Sequence, residues 1–212
     1  MAGAPARPSD PAGAPSERIP FVGLTGGIAA GKSEALQALE ELGAATLSSD
    51  RVVRELLGTE ELRSALVERY GSEVAPAGTV DRAKVGELAF AEPSERTWLE
   101  RLLWPRVGER IAGWYAELAG RERRPRAAVV EVPLLFESGM ERIFDLTVAV
   151  VADEEGRAER AGARGHAALE ERTSRQLTQE EKAERATVVV ANDAGLEELK
   201  ANLAGALERM ES

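Results

Sequence analysis

Eight residues, Gly26-Gly27-Ile28-Ala29-Ala30-Gly31-Lys32-Ser33, constrain this chain more than any other stretch. They spell G-x-x-x-x-G-K-S, a pattern in which a glycine-rich backbone wraps an anion. The flanks decide whether it means anything. Ile19 to Leu24 before it is a short apolar run that suits a buried parallel strand. After it, Ala35, Leu36, Leu39 and Leu42 recur at helical spacing, and Gly43 stands where a helix would stop. Strand, loop and helix follow in the order that phosphate binding requires. Loop glycines let the backbone approach closely, and free N–H groups at the helix start aim at the phosphates. Lys32 would reach the β- and γ-phosphates, and the Ser33 hydroxyl would hold Mg²⁺.

Composition narrows the chemistry. The chain has no cysteine and one histidine, His166, which removes thiol nucleophiles, disulfides and multi-histidine metal sites. The net charge of −10 argues against broad nucleic-acid binding, though a local positive cluster can still hold a polyphosphate. Only four of the 27 basic residues are lysines, and one of those four lies in the loop. No apolar run approaches a membrane span, and residues 1–18, mostly Ala, Pro, Gly and Ser, read as a disordered tail with no secretory signal. A cytoplasmic protein is the expectation.

Further apolar, β-branched runs without alternation read as strands covered on both faces. They are Ala44–Leu47, Ala127–Val132, Leu146–Val151 and Thr187–Ala191. Asp50 follows the second strand and leads a helical stretch. It reads either as a helix N-cap or as an acid at the strand ends, where ligands bind in open parallel sheets. Residues 59–120 read as mostly helical, with Asp81 as a cap and with Pro105 kinking or interrupting a long helix. Arg157, Arg160 and Arg164 share one helix face, either as a solvated surface or as a lid over a transferring phosphoryl group.

Together these residues resemble the dephospho-CoA kinase family from about Phe21 to the C-terminal helix. The loop carries part of the likeness, as do Asp50 with Arg54 and Gly78-Thr79-Val80-Asp81-Arg82 with Phe90. Val132-Pro133-Leu134-Leu135-Phe136-Glu137-Ser138-Gly139 is the most specific part; Arg160, Arg164, Arg172, Gln176 and Asn192 complete it. The resemblance implies an α/β phosphate-loop fold with a five-stranded parallel sheet in the order 2-3-1-4-5, a helical insertion and a lid. It divides the chain into a nucleotide core (19–57, 121–152 and 187–212), a helical CoA-binding subdomain (58–120) and a lid (153–186).

The resemblance also implies ATP and Mg²⁺ as cofactors and phosphorylation of the ribose 3′-hydroxyl of dephospho-CoA. Asp50, Lys32 and Arg160 would be catalytic. Gly27, Ile28, Ala29, Ala30, Gly31, Lys32, Ser33, Glu34, Arg164 and Asn192 would hold the nucleotide, with Ser33 on the metal. Asp50, Arg54, Leu134, Phe136 and Glu137 would meet the acceptor. No nucleic acid or membrane partner is implied, and a monomer or weak homo-oligomer is expected.

The chain departs from the family pattern in four places. Ala29 and Ala30 replace a glycine and a serine, Ser48 replaces the first of two acids, Trp104 replaces a histidine, and the lid is shorter. If position 29 requires a positive φ, alanine there costs on the order of 1–2 kcal/mol. Two other functions stay open: a phosphate-loop kinase for another small hydroxyl compound, and a CoA- or nucleotide-binding homologue impaired in catalysis.

Overall fold

The structure is a computed structural model and describes residues 18–154, 157 and 176–211. Strands β1 (Phe21–Gly26), β2 (Ala45–Ser48), β3 (Ala128–Glu131), β4 (Leu146–Val151) and β5 (Val188–Ala191) form one sheet. All pairings are parallel and the order is β2-β3-β1-β4-β5, the order that the resemblance implies. The helices are α1 (Lys32–Glu41), α2 (Ser49–Leu56), α3 (Glu60–Tyr70), α4 (Arg82–Ala91), α5 (Pro93–Ala119), α6 (Gln179–Arg185) and α7 (Leu196–Glu211). The chain divides into two compact units, one spanning Ser49–Ile111 and the other holding the described residues up to Ser48 and from Ala112 onward.

In the sheet unit, β1 is buried along its whole length because it is central and covered on both faces. Ala35, Ala38 and Leu39 of α1 and Leu199, Leu203, Ala206 and Leu207 of α7 pack with Val22, Leu24, Val129, Val148 and Val150. Elsewhere the ring of Phe21 meets Tyr115 at 4.8 Å and Phe144 at 4.6 Å between centroids. The Tyr115 hydroxyl is buried, and it donates to the Ile19 carbonyl at 2.8 Å. Such a bond removes the desolvation cost that an unpartnered buried hydroxyl would carry.

The other unit is helical. Its core joins Leu62 and Leu66 of α3, Val74, Val85 of α4 and Leu103 of α5, with Trp98 and Trp104 packed against it. Asp81 caps α4 by accepting from the N–H groups of Ala83 and Lys84, as its position before an apolar period suggests.

Two local expectations change. Pro105 does not interrupt its helix, since α5 runs continuously from Pro93 to Ala119. Proline removes one backbone bond and costs roughly 3 kcal/mol inside a helix. Leu103, Val107 and Ile111 are all buried around that point, and their packing outweighs the defect. Helix α2 begins at Ser49, so Asp50 stands inside its first turn and is not its N-cap. A carboxylate there is favourably placed toward the helix dipole, but it closes no cap.

Candidate active site

The loop between β1 and α1 has the backbone of an anion cradle. Gly31 is the N-cap of α1 with φ 95° and ψ 24°, and the helix start carries no side-chain cap. A Cβ at Gly31 would stand 2.0 Å from Asn192 Nδ2 as well as in a left-handed conformation, so only glycine fits. At Gly26, φ 157°, a Cβ would meet the Val150 carbonyl oxygen at 2.4 Å. Between them Ala29 sits at φ 58°, the condition under which the strain expected at this position applies.

Side chains fasten the loop from within. Lys32 Nζ donates to the carbonyls of Gly26 at 3.2 Å and Gly27 at 2.7 Å. Asn192 directly follows β5 and is buried. Its amide donates to the Ala30 carbonyl at 3.0 Å and to Glu34 Oε2 at 3.3 Å. The structure thus joins Gly27, Ala30, Lys32, Glu34 and Asn192 in one hydrogen-bonded cluster. Arg157 adds a bond from Nε to the Ile28 carbonyl at 3.2 Å. Ser33 lies exposed in the first turn of α1.

The segment after β3 separates its side chains. Leu134 is 41% exposed while Phe136 is 8% exposed, so of these two apolar side chains only Leu134 is open to solvent. Glu137 is turned inward. Its Oε1 accepts from the Leu177 N–H at 2.8 Å and pairs with Lys182 Nζ at 3.2 Å. Burial pushes the Lys182 ammonium below the ordinary lysine range, and the charge of Glu137 opposes that shift.

In the helical unit, Asp50 and Arg54 are both exposed and stand one turn apart on α2. Arg160, Arg164, Arg172, Arg175 and His166 lie outside the described residues, as do residues 1–17 of the expected tail.

Two residues escaped the sequence reading. Glu131 ends β3 in register with Leu24 of β1 and Ser48 of β2. The signal was present, because an acid closing an apolar β-branched run beside a phosphate loop is the usual place for a metal-associated carboxylate. The acid missing at Ser48 therefore has Glu131 as its register neighbour on β3. Lys182 was passed over as one charge among many in an acidic helix, and only its complete burial distinguishes it.

The family model for dephospho-CoA kinase matches residues 20–198. The chain belongs to the dephospho-CoA kinase family. A dephospho-CoA kinase of Deinococcus radiodurans is 38% identical over 193 residues, covering 90% of this chain and 92% of the other. One of Streptomyces avermitilis is 39% identical over 185 residues, covering 84% and 88%. The crystal structure of TT1252 from Thermus thermophilus superposes with a TM-score of 0.73 at 31% identity, covering 91% of this chain and 98% of that one. The dephospho-CoA kinase of Campylobacter jejuni, at 21% identity, shares the fold with a TM-score of 0.60, over 90% and 96% of the two chains. This dephospho-CoA kinase family member has no helix among its described residues that is long and apolar enough to cross a membrane.

Proposed function

We propose that this chain transfers the γ-phosphoryl group of ATP to the ribose 3′-hydroxyl of dephospho-CoA, giving CoA and ADP. The observation that carries the reading is the β1–α1 loop, with glycine forced at Gly31 and Lys32 folded over the turn, in a chain of this family. Residues Gly27 to Glu34 surround the β- and γ-phosphates, and the Lys32 ammonium offsets charge that builds there during transfer. Asn192 serves the nucleotide by holding Ala30 and Glu34 in place.

The donor set fits Mg²⁺: the Ser33 hydroxyl and the Glu131 carboxylate are hard oxygen ligands, and this ion takes few protein groups beside phosphates and water. Bound there, it would supply charge neutralisation at the phosphates.

Asp50 orients or accepts the proton of the attacking hydroxyl, a role typically contributing about 10²- to 10⁴-fold. Arg54 and the exposed Leu134 contact the acceptor, with Phe136 supporting the segment beneath it. Arg160 acts on the transferring phosphoryl group and Arg164 on the nucleotide. The sheet unit serves as the nucleotide core, the helical unit Ser49–Ile111 as the CoA-binding subdomain and residues 153–186 as the lid, and the protein works in the cytoplasm as a monomer or weak homo-oligomer.

Incubation with ATP, Mg²⁺ and a panel of hydroxyl acceptors tests this reading. CoA formed from dephospho-CoA supports it, and turnover of another acceptor alone overturns it. A binding-only homologue is the second reading, favoured by the strained Ala29 and by Ser48. Calorimetric binding of dephospho-CoA without ATP consumption would select it.

A further inference from the structure

Glu137 is the acid of the segment Pro133–Gly139, which makes it look like a group for the substrate. Its surroundings say otherwise. Lys182 of α6 is completely buried, and its Nζ donates to the Pro133 carbonyl at 2.5 Å while pairing with Glu137 Oε1. The same Glu137 oxygen accepts from the Leu177 N–H, and Glu137 Oε2 is buried with no hydrogen-bond partner among the described residues. Pro133 opens the turn Pro133–Gly139 and Glu137 lies within it, so a single ammonium grips both.

The Pro133 carbonyl also accepts from Thr25 Oγ1 at 3.3 Å, and Thr25 is the residue before the phosphate loop's first glycine. Helix α6 is fixed in turn. Thr178 and Glu181 form a reciprocal cap at its start, and the Gln179 side chain bonds both the N–H and the carbonyl of Ala152 just past β4. The carboxyl ends of β1, β3 and β4 are thereby tied to one helix.

A lone buried ammonium is costly, as is a lone buried carboxylate. Removing either partner leaves the other uncompensated, whereas removing both does not. Such a pair is a weak stabiliser compared with apolar packing, so its presence calls for a positional reason.

We propose that Lys182 and Glu137 act as one positioning unit that fixes the Pro133–Gly139 turn, so that Leu134 faces the acceptor, and that Glu137 itself does not touch substrate. This rests on the kinase reading above and reassigns one residue within it. It also makes Lys182 a determinant of acceptor use although the residue is sealed from solvent.

The test compares wild type with Lys182→Met, Glu137→Gln and the double variant. Kinetics are run below the unfolding temperature of each, with hydrogen exchange measured alongside. Each single variant is expected to lose about tenfold or more in kcat/KM for dephospho-CoA, with ATP affinity changed far less, and the double variant to lose no more than the worse single. Amides of residues 134–139 should exchange about tenfold faster in Lys182→Met while those of α1 stay as they were.

Losses that multiply in the double variant would make Glu137 a direct contact and overturn the proposal. Lower melting temperature with wild-type kcat/KM, or unchanged exchange in the turn, would do the same. If Lys182→Met does not fold, Lys182→Gln replaces it, keeping a donor for the Pro133 carbonyl without the charge. A wild type that makes no CoA would sink the kinase reading, and the exchange measurement still decides the positioning unit.

Discussion

Ala29 shows how a single residue can carry a measurable conflict. It occupies φ 58° in a loop where glycine would adopt that angle freely. The left-handed cost of about 1–2 kcal/mol is partly offset, because glycine loses about 0.5–1 kcal/mol more on folding than alanine. Ala29→Gly is therefore expected to raise stability by about 0.5–1 kcal/mol in urea unfolding, and a loss of stability would contradict it. The residue's identity and the condition for strain were both legible in sequence, but the angle itself was not. Lys182 is the opposite case. Nothing in Glu180-Glu181-Lys182-Ala183-Glu184 distinguishes a lysine at the surface from one at zero exposure, because burial is decided by which strand ends the helix meets.

At the scale of elements, phosphate loop and strands could be read because each is local: a glycine pattern, an apolar run, a capping acid. Sheet order depends on pairings between β1, β3 and β4 that lie more than a hundred residues apart, and only the family resemblance supplied it. Pro105 misled because local propensity stops at the helix backbone, whereas the packing of Leu103, Val107 and Ile111 overrides it.

The helical unit's core yields its own expectation. Leu66 has no exposure, so Leu66→Ala should cost about 2–5 kcal/mol in that unit by chemical denaturation, and a cost under about 1 kcal/mol would mean that the site collapses freely. Tyr70 adds a pH signature. Burial raises its phenol from 10.0 to about 12. A raised folded value means that the native state keeps its proton while the unfolded state releases it, so stability present below pH 10 is lost as pH climbs toward 12. Melting curves across that range should show the decline, and Tyr70→Phe should reduce it. An unchanged slope in Tyr70→Phe would exclude Tyr70 as the source.

The proposal at the scale of the whole molecule is phosphoryl transfer from ATP bound at the β1–α1 loop to an alcohol readied by Asp50. In the sheet unit the Pro133 carbonyl, held by Lys182, also accepts from Thr25 just before that loop. Asp50 enters the chain two residues after Ser48, the last residue of β2. The most direct measurement is CoA formation from ATP, Mg²⁺ and dephospho-CoA, read by mass, for wild type, Lys32→Ala and Asp50→Asn. Wild type should produce CoA, while each variant should fall by about 10²-fold or more. An inert wild type, or an Asp50→Asn variant that keeps nearly full turnover, would contradict the account.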